Sequence, residues 1–331
     1  MRNFAKITVA LLSVFLLAAP CFAATDALIP GGEAVGLELT LTKPCITRVE
    51  KDGAAERAGL KKGDCIVSVN ASDIRDVGEL AEVIGAGQPL TVTVERNGKP
   101  MSYTVWPQQT QDGWRIGAEV MDSISGIGTI TYIDPKDKSF GALGHGVNLP
   151  NCVKMLPAAG GTVYDTEVTG VEKSEKGEPG ELKGRCSGQT VGAVEGVSDS
   201  GVFGTLDWLP DTAKQIPVAE PEQVHPGDAV IRCCLQGKEV REYSVQIVEV
   251  YPQTENGRDL LLKITDRALL LQTGGIVRGM SGSPIIQDGR LVGAVTHVLV
   301  DDPVKGYGIF VEKMLSAAQE ESGIGIAAQA A

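Results

Sequence analysis

Arg278-Gly279-Met280-Ser281-Gly282-Ser283-Pro284, followed closely by Thr296-His297, holds the most informative chemistry in the chain. A serine sits between two glycines in what must be a tight turn. Gly279 lets the backbone bend and aim an amide N–H inward with no Cβ in the way. Together with the N–H of Ser281, that amide makes a pocket suited to a developing oxyanion. Gly282 leaves room above the hydroxyl, and Pro284 ends the loop and launches the apolar pair Ile285-Ile286. A glycine- and serine-rich turn between two strands would satisfy the same string, so the heptad needs support from elsewhere.

A serine nucleophile needs a base, and the chain has three histidines, His145, His225 and His297. His145 lies in Phe140-Gly141-Ala142-Leu143-Gly144-His145-Gly146, flanked by glycines after an apolar run, which suits an imidazole at a strand end facing a cleft. His225, in Val224-His225-Pro226-Gly227-Asp228, has the setting of an exposed turn. His297 follows the strand-like Leu291-Val292-Gly293-Ala294-Val295. It is open to three readings: it lines the substrate pocket, it assists the site, or it is a hydrogen-bonded core histidine. Ser281 follows His145 by 136 residues, enough chain for a β-barrel between them. His145 is therefore expected to be the base and His297 a supporting or specificity residue.

The 331 residues exceed one average domain, and 41 glycines and 17 prolines against 5% aromatics favour strands and turns over a helical bundle. A formal charge of −12 argues against nucleic acid or an anionic membrane surface as a direct partner. Arg2 and Lys6 form a positive start before an apolar run at residues 7–19, and Cys21-Phe22-Ala23-Ala24 supplies small residues for cleavage. Residues 1–24 are expected to be a signal peptide or signal anchor, cut or retained, and the chain to be exported. Six further cysteines, Cys45, Cys65, Cys152, Cys186, Cys233 and Cys234, are compatible with disulfides but fix no pairing. Their spacing is not that of a metal site, so neither metal nor cofactor is expected. Cys45 and Cys65 fall in apolar strand contexts typical of buried thiols.

Residues 30–110 resemble a bacterial-type PDZ domain. In Asp52-Gly53-Ala54-Ala55-Glu56-Arg57-Ala58-Gly59-Leu60-Lys61-Lys62-Gly63-Asp64 a short helix ends at Gly59 and a turn precedes the strand Cys65-Ile66-Val67-Ser68-Val69. Val77, Leu80, Ala81 and Ile84 recur at helical spacing, as needed to close one side of a groove. Val35, Gly36, Leu37 and Glu38 are expected to form the loop and strand that take a peptide C-terminus or strand by β-augmentation. From residue 111 the pattern changes to short β-runs with glycine turns, the pattern of an all-β double barrel. The charged segment 173–181 reads as a solvated hairpin loop, and residues 319–331 as a frayed helix and tail.

The blocks Gly128-Thr129-Ile130-Thr131-Tyr132-Ile133-Asp134-Pro135 to Gly146, Gly279 to Val298, and Asp302-Pro303 with Lys305-Gly306-Tyr307-Gly308-Ile309-Phe310 resemble the stage IV sporulation protein B peptidase family. The resemblance implies a mainly β fold, with an N-terminal PDZ-like α+β domain (30–110) followed by a chymotrypsin-like double β-barrel (111–318). It implies an exported serine endopeptidase that cleaves a regulatory protein between mother cell and forespore, with protein or peptide as substrate, a membrane-bound regulator included. By motif, Ser281 would be the nucleophile, His145 the base and Asp266, in Lys263-Ile264-Thr265-Asp266-Arg267, the orienting acid. Ordinary chymotrypsin-like chains carry the acid nearer the base, so Asp165, Asp199 and Asp207 stay open beside Asp266. Gly275, six residues before Ser281, falls near the usual floor of the primary specificity pocket and implies small or apolar preferences. The alternative is a non-catalytic PDZ adaptor on an inactive barrel.

Overall fold

The computed structural model describes residues 27–148, 156–210, 214–254 and 257–328; the leader at residues 1–24 and Cys152 lie outside them. In chain order, β1 (Ile29–Pro30) and β2 (Ala34–Val49) precede α1 (Ala54–Ala58), β3 (Cys65–Val69), β4 (Ser72–Asp73) and α2 (Val77–Gly85). Next come β5 (Leu90–Arg96), β6 (Lys99–Val105), the hairpin β7 (Gln108–Thr110) and β8 (Gly113–Arg115), and β9 (Ala118–Ile133). They are followed by β10 (Ser139–Ala142), β11 (Ala158–Glu172), β12 (Glu181–Ser198) and β13 (Gly201–Leu206). The last part comprises β14 (Gly227–Cys234), β15 (Val240–Val250), β16 (Leu260–Ile264), α3 (Arg267–Thr273), β17 (Pro284–Gln287), β18 (Arg290–Val298), β19 (Lys305–Phe310) and α4 (Val311–Ala328).

Two barrels and one inserted unit result. Strand β2 pairs antiparallel with both β9 and β11, and β9, β10, β13, β12 and β11 pair in succession, so these strands close a first barrel. Its centre is filled by Leu37, Leu39, Ile130, Ile133, Phe140, Val163 and Val194. Strands β14, β15, β16, β19, β18 and β17 close a second barrel around Ile231, Val245, Leu262, Ile285 and Val295. Helix α4 packs Val311 and Met314 beside Tyr132 and Phe203 of the first barrel and Leu291 and Ile309 of the second, covering apolar surface of both. Buried Asp259 anchors that helix: Lys313 Nζ approaches its Oδ1 at 2.6 Å, and the amide of Phe310 donates to its Oδ2.

The smaller unit is inserted between β2 and β9. Both are 16-residue strands, and their register shifts between Thr40 and Cys45. Before the shift they belong to the barrel. After it, Cys45 to Val49 and Ala118 to Met121 join β3, β5 and β6 in the sheet of the α+β unit. Ile46, Ile66, Leu80, Leu90 and Val94 fill its own core. The expected short helix and its C-cap are present: Gly59 has φ +96 and its amide returns to Ala55 and Glu56. Asp64, fully buried, is gripped by Arg96 through two bonds of 2.6 Å, which satisfies a charge that could not otherwise be buried.

Two expectations are corrected here. Cys45 and Cys65 are not free buried thiols: directly opposite each other on β2 and β3, they form a disulfide where the inserted unit leaves the barrel. Val35, Gly36, Leu37 and Glu38 are not a peptide-binding loop. They lie within the first barrel, with Val35 opposite Asp165 and Gly128, Leu37 opposite Val163 and Gly126, and Glu38 opposite Thr162 and Ser125. With both ladder edges occupied, no added strand can pair there.

Candidate active site

The serine loop is built by its turn. Gly279 and Gly282 adopt φ +92 and +95, a region open to glycine at little cost. The Gly282 amide donates to the Val295 carbonyl and the Ser283 amide to Met280, closing the turn. A Cβ on Gly282 would lie 2.0 Å from the Thr129 carbonyl oxygen, so the first barrel presses directly on this loop. By contrast, neither the Gly279 nor the Ser281 amide donates to a partner among the described residues. These are the two amides an oxyanion pocket requires.

The first barrel clamps the loop through β9. The hydroxyl of Thr129 donates to the Gly279 carbonyl at 2.7 Å, its amide donates to the Ser281 carbonyl, and Thr131 Oγ1 donates to the Gly282 carbonyl at 2.8 Å. Both threonines are buried, 1% and 0% exposed, where such hydroxyls need partners. In the sequence these residues stand only as part of a family block. Their signal, a polar hydroxyl at alternate positions of an otherwise apolar strand, was available in Thr129-Ile130-Thr131.

His145 reaches the same place from the other side. Leu143 and Gly144 take φ +66 and +70 in succession, turning the chain out of β10 and into the cleft. His145 Nδ1 lies 2.8 Å from the Gly146 carbonyl oxygen. A carbonyl only accepts, so Nδ1 carries the proton and Nε2 keeps its lone pair, the tautomer a general base needs. Burial holds the His145 pKa below the ordinary histidine range, against the opposing effect of the Gly146 bond. The His297 ring lies 5.1 Å away, centroid to centroid, with its Nδ1 buried and without a partner among the described residues. Burial first, then His145 and Arg258, push its pKa down to about 4.

His145 and Ser281 line one cleft of about 300 Å³, together with Leu37, Leu39, Ile124, Ile127 and Gly279. In this state Ser281 Oγ donates to the Thr296 carbonyl at 2.9 Å, so engaging His145 requires rotation about its Cα–Cβ bond.

The remaining expected residues lie elsewhere. Asp266 is the N-cap of α3: its Oδ1 accepts from the Leu269 amide at 2.9 Å and its Oδ2 faces the Ser244 amide. A carboxylate so engaged stabilises a helix start and does not orient His145. Asp165 pairs with Lys238, and no carboxylate among the described residues, Asp199 and Asp207 included, hydrogen-bonds His145. The orienting position is filled by the Gly146 carbonyl. Gly275 does not line the cleft; a Cβ there would meet the Pro303 carbonyl oxygen at 2.3 Å, so Pro303 closes the expected pocket floor. His225 is exposed and pairs with Asp288.

The helix side of the expected PDZ groove, Val77, Leu80, Ala81 and Ile84 of α2, is present, and its strand side is a segment of β9 to which the sequence did not point. Beyond Asp122, whose carboxylate accepts from the Val77 amide at the start of α2, Ala118 to Met121 of β9 pair only with β2. Their other edge faces α2 across a groove of about 920 Å³ lined by Val77, Leu80, Ala81, Ile84, Ile116 and Gly117. Gly117, at φ +71, turns the chain into that edge. An open strand edge beside an apolar helix face is the arrangement that β-augmentation uses.

A double β-barrel with a glycine-framed serine and a half-buried histidine in the inter-barrel cleft is the arrangement of a chymotrypsin-like fold, here with an inserted PDZ domain. The chain belongs to the SpoIVB peptidase S55 family, whose model matches residues 112–315; a PDZ domain model matches residues 45–96. It is 41% identical over 78 residues to the zinc metalloprotease RasP of Geobacillus kaustophilus, covering 23% of this chain and 18% of the relative. It is 32% identical over 95 residues to a probable periplasmic serine endoprotease DegP-like of Marinomonas sp., covering 28% and 20%. The chain thus spans about a fifth of the length of these curated relatives. Among solved structures, the active form of the Rv3671c protease of M. tuberculosis aligns with a TM-score of 0.34 at 17% identity, covering 59% of this chain and 74% of that one. Its inactive form gives 0.33 at 15%, covering 59% and 83%.

Proposed function

We propose that Ser281 is the nucleophile and His145 the general base of this peptidase, acting outside the cytoplasmic membrane on a regulatory protein in sporulation signalling between mother cell and forespore. The observation that carries the catalytic assignment is the shared cleft: residues 136 apart in sequence, on different barrels, line one cavity beside two unengaged amides. After rotation of Ser281 toward the imidazole, His145 Nε2 takes the hydroxyl proton as Oγ bonds the peptide carbonyl carbon. The Gly279 and Ser281 amides receive the carbonyl oxygen as it gains charge. The imidazolium, its Nδ1 proton still held by the Gly146 carbonyl, then returns a proton to the leaving amine. Water repeats the sequence to release the acyl group.

Export is supported by the leader pattern at residues 1–24 and by the Cys45–Cys65 disulfide, which suits an oxidising compartment. The substrate class, a protein regulator that can be membrane-bound, comes from family membership. The PDZ groove on β9 would hold a peptide C-terminus or strand of the substrate or of a second regulator. Co-expression of the chain with candidate membrane-bound regulators, followed by mapping of new termini, tests this. Cleavage that is lost in Ser281→Ala supports the reading; unchanged cleavage in that variant, of a partner or of the chain itself, overturns it.

A further inference from the structure

Arg278 is the one charged side chain among the described residues that line the catalytic cleft. The rest of the lining is apolar or neutral: Leu37, Leu39, Ile124, Leu143 and Val147 dominate it, with His145 kept neutral by burial. The Arg278 backbone is pinned: its amide donates to the Gly180 carbonyl and its carbonyl accepts from the Leu182 amide, in a parallel bridge that places Glu181 beside it. Its guanidinium is exposed and forms no ion pair among the described residues, with Glu181 or any other carboxylate. In a chain with 42 acidic residues against 30 lysines and arginines, a cation left unpaired at the lip of the cleft is a conspicuous feature. It immediately precedes Gly279, whose amide faces the reacting carbonyl in the mechanism above.

We infer that Arg278 is a specificity-determining residue that receives an acidic side chain of the substrate next to the scissile bond, while an apolar substrate side chain fills the cleft. The inference rests on the peptidase reading of this cleft. A guanidinium presents a planar fork that matches a carboxylate, and proximity to an apolar wall strengthens the pairing over one in open water. The preferred substrate is thus an extended segment with adjacent apolar and acidic residues.

The test measures the affinity of peptides blocked at both ends, so that no free C-terminus enters the PDZ groove, for the Ser281→Ala protein. Matched peptides carry Glu, Gln or Lys beside an apolar residue. The Glu peptide binds about fivefold more tightly than the Gln peptide, the scale of a partly exposed charge pair. That ratio falls to near one when Arg278→Gln is added, and Arg278→Glu reverses it in favour of Lys. A ratio near one in the parent protein, or one unchanged by Arg278→Gln, overturns the inference. Cleavage of the same peptides by the chain with Ser281 intact is measured alongside. A Glu preference in binding without any cleavage would contradict the peptidase reading while leaving the subsite standing.

Discussion

Leu143 and Gly144 show how much the proposed base, His145, depends on backbone placement. A leucine at φ +66 carries strain on the order of 1 kcal/mol or more, tolerated because it swings His145 into the cleft. There burial lowers the imidazole pKa, and a base works only when neutral. Activity should therefore persist below the ordinary histidine value of about 6.5 and fall only as pH drops through the lowered pKa. A kcat/KM profile with its acid limb centred above pH 7 would contradict this. His297, held to about 4, stays neutral over the same range. Because the unfolded chain binds that proton more readily, stability should decline as pH falls from about 6.5 toward 4 and level off below. Denaturant midpoints across that window measure it, and a midpoint that rises on acidification would count against it. Thr131→Val removes a buried donor to the Gly282 carbonyl. It should cost about 1–2 kcal/mol and lower kcat more than KM, since the loop that places Ser281 loosens. A change in KM alone would mean the clamp does not position the nucleophile.

Among the elements, β9 carries the greatest share of the architecture, bordering the PDZ groove, lining the cleft and clamping the serine loop in turn. The sequence made the serine turn legible because Gly279, Gly282 and Pro284 act through local backbone chemistry. The helix of residues 54–58 and its Gly59 cap were legible for the same reason. The fate of β2 was not. Apolar-Gly-apolar at Val35-Gly36-Leu37 is equally good as a groove loop or a barrel strand, and partners some 90 to 130 residues away decide between them. Asp266 fits two readings in the sequence, the family's acid or an N-cap three residues before Leu269, and the local backbone bond to the Leu269 amide decides for the cap. Within the PDZ unit, Asp64→Ala should cost about 3–5 kcal/mol by leaving Arg96 uncompensated. Urea unfolding of the variant checks this, and a loss under 1 kcal/mol would show that the pair is dispensable.

For the molecule as a whole, the decisive feature is insertion. The first barrel closes through Ala34 to Thr40 against Ser123 to Thr129, without help from the PDZ unit. Replacing residues 42–122 with a short hairpin turn should leave both barrels folded, as judged by circular dichroism and a cooperative melt. Failure to fold would show that the inserted sheet and its Cys45–Cys65 bond are integral to barrel closure. The proposed chemistry depends above all on a hydroxyl and an imidazole brought together from different barrels. Covalent labelling with a fluorophosphonate, read by peptide mapping in the intact chain and in His145→Ala, tests that most directly. The label should fall on Ser281 and be lost without the imidazole. Labelling of Ser281 that is equally strong in His145→Ala, or label found only at other residues, would contradict it.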